Sequence, residues 1–320
     1  MATRLEAAEP RAGGVTARRR PALGRWLGAA FAAAVLALLV WAARAVDWAQ
    51  VRNALQQVPP GTLLLAALLC AVSHLIYSTY DLVGKRWTGH PVAPRRVMLI
   101  TFISYAFNLN LGSLVGAFAI RLRLYAREGL RQPVPTQVLA LSLSTNWLGY
   151  GVLAGGLFLG GWLEPPPQWP VSGTALQVLG GMMWLIAGAY LALCRWAPRR
   201  DYVIRGHEIV LPSIQLAGLQ LLVSAANWMT IGLIVHVLLQ GAVPYGHTLA
   251  VLLVAAVAGV VAHVPAGLGV LEAVFVALLG PTLGAPTVLA ALIAYRALYY
   301  LMPLVIAAVA YFTLEARSRR

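Results

Sequence analysis

The sequence predicts an all-α polytopic membrane protein with six full transmembrane helices and two re-entrant helical hairpins. Of its 320 residues 60% are hydrophobic and only 11% are charged, whereas a soluble domain carries about 25% charged residues. The mean hydropathy is +0.76, and the apolar residues form eight long segments separated by short loops. The net charge of +14 lies in clusters between these segments, a pattern typical of membrane topology rather than of a nucleic-acid-binding surface.

The six full spans are apolar segments of about the length that a helix needs to cross a hydrocarbon core of roughly 30 Å. They are residues 26–43, 62–83, 137–163, 173–194, 213–239 and 287–314. A cleaved signal peptide is the alternative for the first segment, but its apolar run is longer than the 7–15 residues typical of such peptides. The domain organisation is therefore a disordered basic tail (1–25), one transmembrane domain (26–316) and a short basic end (317–320).

The two remaining segments, 97–119 and 248–280, are predicted to be hairpins that enter the membrane and return. If both crossed the membrane, the basic loops near residues 121–131 and 195–205 would lie outside. If both return, every basic cluster and both termini lie in the cytoplasm, as the positive-inside rule favours. The alternative is that 97–119 is an ordinary span with polar residues in its middle.

The two hairpins enter from opposite faces, which is the pattern of an inverted repeat. In such folds broken helices meet near the midplane of the bilayer and form a substrate site. The first hairpin places Asn108 and Asn110 at its tip, and the second places Pro265, Gly267 and Gly269 there.

Three charged residues accompany these tips: Arg121, Glu272 and Arg296. Charged residues inside a membrane are costly and are candidates for function. Glu272 can pair with either arginine, and the opposed hairpins favour Arg121. A helix that restarts after Gly267 or Gly269 offers free N–H groups to a phosphate, and arginine offers a forked donor. The alternative is a kinked helix in which Glu272 makes a purely structural ion pair.

Metal and nucleophilic catalysis have no support in the sequence. The six histidines and the two cysteines, Cys70 and Cys194, lack the spacing of metal ligands or of a disulfide framework. No phosphate-binding loop is present, and the carboxylates have no evident nucleophile beside them. We therefore expect no enzyme activity, no metal and no cofactor.

Residues 264–272, Val-Pro-Ala-Gly-Leu-Gly-Val-Leu-Glu, resemble the Pro-Gly-Gly-x-Gly-x-x-Glu signature of the flippase-like family. This family comprises the membrane region of lysylphosphatidylglycerol synthases and its stand-alone relatives. Residues 108–129 resemble a second signature, and Tyr295-Arg296 with the residues that follow resembles the last helix. The chain departs from the family at Gly112-Ser113, where a proline is common, and at residues 144–146, where many members carry a charged pair.

The resemblance implies a bacterial inner-membrane flippase or transporter for a lipid, or a lipid-linked amphiphile, with a charged headgroup. A non-transporting scaffold or accessory subunit of a lipid- or polyprenyl-glycan-modifying enzyme is the alternative. Aminoacyl transfer belongs to a separate soluble domain and is not expected here. The implied partners are a membrane phospholipid or lipid-linked substrate, anionic headgroups at the basic loops, and a second copy or a lipid enzyme, but no nucleic acid. The expected substrate-binding residues are Arg121, Glu272, Arg296, Asn108, Asn110, Pro265, Gly267, Gly269 and Tyr295.

Overall fold

The computed structural model describes residues 30–40, 44, 46–166, 169, 171–199, 201–204, 207–262 and 267–317. Apart from two short strands, the regular elements in these ranges are helices. They are α1 (Ala30–Val40), α2 (Trp48–Gln57), α3 (Pro60–Ser78), α4 (Tyr80–Thr88), α5 (Pro94–Leu111), the π-helix π1 (Leu114–Ile120), α6 (Arg121–Arg127), α7 (Val134–Leu159), α8 (Gly173–Trp196), β1 (Asp201–Ile204), β2 (His207–Val210), α9 (Ile214–Leu238), α10 (Tyr245–Val261), α11 (Val270–Leu283), α12 (Ala285–Tyr295), the π-helix π2 (Arg296–Leu301) and α13 (Met302–Arg317).

Five of the six predicted spans are confirmed as helices long and apolar enough to cross a membrane. They are Pro60–Thr88, Val134–Leu159, Gly173–Trp196, Ile214–Leu238 and Ala285–Arg317. The first predicted span is described only over α1, an apolar helix. The rest of that segment, together with the predicted tail 1–25 and residues 318–320, lies outside the described residues.

The segment predicted as the first hairpin folds back on itself. Helix α5 ends at Gly112, whose positive φ of 84° suits a residue without a side chain, and π1 then returns alongside it. A Cβ on Gly116 would lie 2.0 Å from the backbone nitrogen of Asn108, so only glycine allows the two arms to approach this closely. The returning arm continues through α6 to Arg127.

The second hairpin consists of α10 and α11, and its arms also pack against each other. A Cβ on Gly259 would lie 3.8 Å from the Cα of Gly267, which places the two arms close together near the tip. The tip itself includes residues 263–266, so the predicted site residue Pro265 lies outside the described residues.

The predicted all-α class is confirmed for the described residues, apart from a short β-hairpin in the basic loop between α8 and α9. Strands β1 and β2 form an antiparallel hairpin in which Asp201 pairs with Val210 and Ile204 pairs with His207. The segment is rich in β-branched and aromatic residues, which favour strands, and it lies between two long helices rather than within one.

Among the described residues, several arginines lie near one end of the helices. Arg123 and Arg127 on α6 bind Glu315 near the end of α13, and Arg86 and Ser213, from α4 and the start of α9, line one cavity. The start of α10 instead lies against the residues that follow α7. The first hairpin therefore opens at the basic end and the second at the opposite end.

The core lies between α3, α7, α9, α10 and α12, where buried aliphatic and aromatic side chains form one cluster. Small residues let the helices approach, as membrane helices require. A Cβ on Gly149 of α7, for example, would lie 2.2 Å from the Ser224 hydroxyl of α9. This close packing fixes the spans against which the two hairpins lie.

Candidate functional site

Glu272 lies in the first turn of α11 and closes the tip of the second hairpin. Gly269, with a φ of 79°, donates its backbone N–H to Glu272 Oε2 at 3.0 Å. This bond satisfies one of the free donors at the start of the helix. This bond helps to orient the carboxylate.

Arg296 of the last span is the ion-pair partner of Glu272. Its Nε donates to Glu272 Oε1, and its Nη2 donates to Glu272 Oε2 at 3.0 Å. The same Nη2 also donates to the Gly267 carbonyl at 3.0 Å. The pair is thus bidentate, the geometry in which arginine binds carboxylates most strongly. The expectation that Glu272 pairs with Arg121 is wrong, because the last span rather than the other hairpin supplies the cation.

The Glu272–Arg296 pair is partly accessible. The side chain of Glu272 is 18% exposed and that of Arg296 is 14% exposed. Between Gly267 and Gly269 at the same tip, Leu268 is exposed. Part of each charged side chain therefore remains exposed at the tip.

Arg296 begins a π-helix, and Pro303 explains why the helix changes here. Proline has no N–H to continue the α-helical ladder, and the Met302 N–H bonds the Ala297 carbonyl five residues earlier. Short π-helices occur frequently at functional sites. Arg296 and Tyr300 share one face of π2, since the Arg296 Cζ lies 5.4 Å from the Tyr300 ring centroid.

The tip of the first hairpin binds the same π-helix. Asn110 Nδ2 donates to the Tyr300 carbonyl at 3.1 Å and to the Ala106 carbonyl at 2.8 Å. Asn108 lies two residues earlier in α5, where its carbonyl accepts the Gly112 N–H. Within the described ranges, the Asn108 side chain makes no hydrogen bond to π2. The structure therefore brings Asn110, Gly267, Gly269, Glu272 and Arg296 to one turn of the last span.

Arg121 lies elsewhere, in a second ion pair. Its Nη1 is 3.4 Å from Asp81 Oδ1, and the two side chains are 1% and 0% exposed. Tyr125 donates its hydroxyl to Asp81 Oδ2 at 2.7 Å. Arg121 follows π1 on the returning arm, where α4 rather than the second hairpin faces it. The site residues predicted from the sequence do not include Asp81, the observed partner of Arg121.

His90 lies just beyond α4, near this second pair. Its ring centroid is 5.9 Å from that of Tyr125. Burial lowers the pKa of His90 below its usual value, and the Lys85 ammonium lowers it further, although the Asp81 carboxylate opposes both effects. His90 is therefore neutral at pH 7 and leaves Asp81 to balance Arg121.

A buried chain of hydroxyl groups, also missed from the sequence, supports π2 from behind. Ser73 donates to Asn227 Oδ1 at 2.8 Å, and a hydroxyl has only one proton to donate. Tyr299 must therefore donate to Ser73, and Tyr105 to Tyr299, each at 2.9 Å. The chain joins α3, α5, π2 and α9. Its sequence signal was the occurrence of polar residues within apolar spans.

Tyr295, a predicted site residue, belongs to this supporting layer rather than to the accessible face. It is buried, stacks on Tyr299 at a centroid distance of 5.2 Å and contacts the edge of Tyr300. Within the described ranges, no group of three histidine, cysteine, aspartate or glutamate side chains is placed to hold a metal ion.

Comparison with known proteins identifies the family. Residues 25–307 match the family described as the lysylphosphatidylglycerol synthase TM region. The chain is 46% identical over 296 residues to Inner membrane protein YbhN of Escherichia coli (strain K12), covering 92% of each chain. It is 28% identical over 261 residues to Uncharacterized protein slr0712 of Synechocystis sp., covering 80% of each chain.

These relatives and the long apolar helices make the chain a multi-pass inner-membrane protein. The family resemblance of the Val264–Glu272 motif is confirmed by a match that covers most of the sequence. The chain belongs to the lysylphosphatidylglycerol synthase TM region family.

Proposed function

We propose that this protein moves a phospholipid or lipid-linked amphiphile with a charged headgroup across the inner membrane. The observation that carries the proposal is that both hairpin tips bind one π-helix of the last span, through Asn110 and through Arg296. Opposed broken helices that meet around one site are the architecture of transporters with inverted repeats.

The chemistry of the tips supports a headgroup site. The Arg296 guanidinium is a forked donor that matches a phosphate, and Glu272 accepts donors from a polar or cationic headgroup. Two exposed leucines, Leu114 and Leu268, lie beside the two tips. They offer apolar surface to the acyl chains of the lipid, which stay in the bilayer while the headgroup is bound. Arg121 contributes from a distance, by fixing the returning arm of the first hairpin to α4.

The proposed topology has six full spans, two re-entrant hairpins and both termini in the cytoplasm. The basic end of the helices faces the cytoplasm, following the positive-inside rule, and its arginines contact anionic headgroups there. The first hairpin then opens toward the cytoplasm and the second toward the opposite side. A headgroup therefore has a route to the π2 site from each face of the membrane.

Reconstitution tests the proposal. Vesicles carrying acyl-chain-labelled phospholipids are prepared with wild-type protein, with Glu272→Gln, with Arg121→Ala or without protein, and movement between leaflets is followed by chemical quenching of the label. We expect movement that rises with the amount of wild-type protein per vesicle and falls in both variants. Wild-type vesicles that behave like protein-free vesicles would contradict transport and favour the scaffold alternative.

A further inference from the structure

We infer that the headgroup handled at Glu272 and Arg296 is zwitterionic, carrying a phosphate and an ammonium group with no net charge. This inference rests on the proposed function and names its substrate class. It follows from the charges of the Glu272–Arg296 pair, and from the fact that this pair is partly exposed whereas the Asp81–Arg121 pair is buried.

The site as built is electrically balanced. Arg296 forms two hydrogen bonds with the Glu272 carboxylate, and the two side chains form a salt bridge in which one positive charge faces one negative charge. A headgroup that enters must replace at least part of this pairing. Breaking a buried pair and leaving one charge uncompensated is strongly unfavourable.

A zwitterionic headgroup is the class that replaces the pairing completely. Its phosphate accepts the paired hydrogen bonds of the Arg296 guanidinium, and its ammonium donates to the carboxylate of Glu272. Both protein charges therefore keep a partner. An anionic headgroup satisfies Arg296 but leaves Glu272 unpaired, and a cationic headgroup does the reverse. Since an unpaired charge inside a membrane is costly, net charge on the lipid works against entry.

The second ion pair does not change this balance. Asp81 and Arg121 are almost completely buried and compensate each other, so neither charge is available to a lipid at the tips. The charges of Asp81 and Arg121 also sum to zero. Of these two ion pairs, the one that a lipid at the tips can reach is therefore Glu272–Arg296.

Residues 144–146 of helix α7 carry no charged side chain. Ser144 donates to the Ala140 carbonyl, and Thr145 donates to the Leu141 carbonyl while its hydroxyl accepts a hydrogen bond from Gln220. The Asn146 carbonyl accepts from Ser224 and Trp228. These groups are neutral hydrogen-bonding partners, so the helix does not favour a headgroup of either sign.

The test compares three lipids with matched acyl chains: a phosphatidylethanolamine, a phosphatidylglycerol and a diacyl trimethylammonium propane. Binding is measured by native mass spectrometry of the detergent-solubilised protein, and movement by the quenching assay. We expect the wild type to bind and move the ethanolamine lipid about tenfold better than either charged lipid, since one charge-assisted hydrogen bond contributes on that order.

Charge variants make the expectation specific. Glu272→Gln should shift the preference to phosphatidylglycerol, and Arg296→Gln should shift it to the cationic lipid. The exchanged double variant, Glu272→Arg with Arg296→Glu, restores zero net charge and should restore the ethanolamine preference if it elutes as a monodisperse species. The matched control is Glu128→Gln, which removes a carboxylate from an exposed, loosely paired position and should keep the wild-type order.

Binding and movement separate the two proposals. A wild type that binds phosphatidylglycerol or the cationic lipid best, or an order of binding that is the same in Glu272→Gln, would overturn the zwitterionic assignment even if lipids move. Ethanolamine-selective binding without movement would support the assignment and contradict only the transport proposal.

Discussion

Asn110, at the tip of the first hairpin, donates a hydrogen bond to the carbonyl oxygen of Tyr300 at 3.1 Å. Tyr300 lies four residues after Arg296, which holds the tip of the second hairpin through Gly267 and Glu272. One π-helical turn thus connects two elements that are far apart in the sequence. Changes in either tip are expected to affect the same site.

Replacement of Asn110 by alanine should weaken the attachment of the first tip. The variant loses the bond to Tyr300, a contribution of about 1 kcal/mol, and we expect slower lipid movement with only a small decrease in thermal stability. The quenching assay and a melting curve in detergent measure the two effects. Asn53→Ala is the matched control, because Asn53 is an exposed amide on α2. Full movement by the Asn110 variant would show that this attachment is dispensable.

The Asp81–Arg121 pair should behave as one buried unit. Asp81→Leu alone or Arg121→Met alone leaves an uncompensated buried charge, which typically costs about 3–5 kcal/mol. The double variant removes both charges and should be more stable than either single variant, as melting temperatures in detergent would show. If the double variant loses as much as the sum of the two single losses, the two side chains do not compensate each other in the membrane.

Gly116→Ala should disrupt the first hairpin. The new methyl group would lie 2.0 Å from the Asn108 nitrogen, a contact that only separation of the two arms can relieve. We expect less folded protein on size-exclusion chromatography and loss of lipid movement. Gly151→Ala is the control, since a Cβ there meets nothing within 4 Å. Equal yields of the two variants would mean that the arms are not packed backbone to backbone.

Cysteine labelling in sealed inverted and right-side-out vesicles tests the topology. Both native cysteines are buried, so they provide a low background. Cysteines at Arg131 and Arg199 should react from the cytoplasmic side, and one at Glu164 should react from the opposite side. Arg95→Cys, just before the first hairpin, should react from the same side as Arg131→Cys, just after it. Reaction of these two from opposite sides would make the first hairpin an ordinary span.

The spans and the family could be predicted because their signals are local. Long apolar segments need no knowledge of their neighbours, and the Val264–Glu272 motif is contiguous in the sequence. The helix reversal between 97 and 119 was also predictable, because the distribution of positive charge favours it. The short strands at 201–210 were missed, since no apolar length rule applies to a basic loop.

The ion pairs could not be assigned from sequence because pairing depends on depth and helix rotation. Asp81 lies near the end of the predicted span 62–83, yet it is fully buried against Arg121. Asn110 donates to the backbone carbonyl of Tyr300. The pattern of side chains in the sequence does not indicate which backbone carbonyl of a π-helix is available as an acceptor. Among the predicted site residues, Tyr295 packs behind the site for the same reason of helix rotation.

The rate of lipid movement by Glu272→Gln, compared with Glu128→Gln in the same vesicles, tests the central claim most directly. Both variants lose one carboxylate. Of these two carboxylates, that of Glu272 bonds Arg296 and that of Glu128 does not. We predict at least a tenfold lower initial rate for an ethanolamine lipid in Glu272→Gln, since a charge-assisted bond contributes on that order, and an unchanged rate in Glu128→Gln. Equal rates in the two variants, with Glu272→Gln folded and monodisperse, would contradict the assignment of this ion pair as the headgroup site.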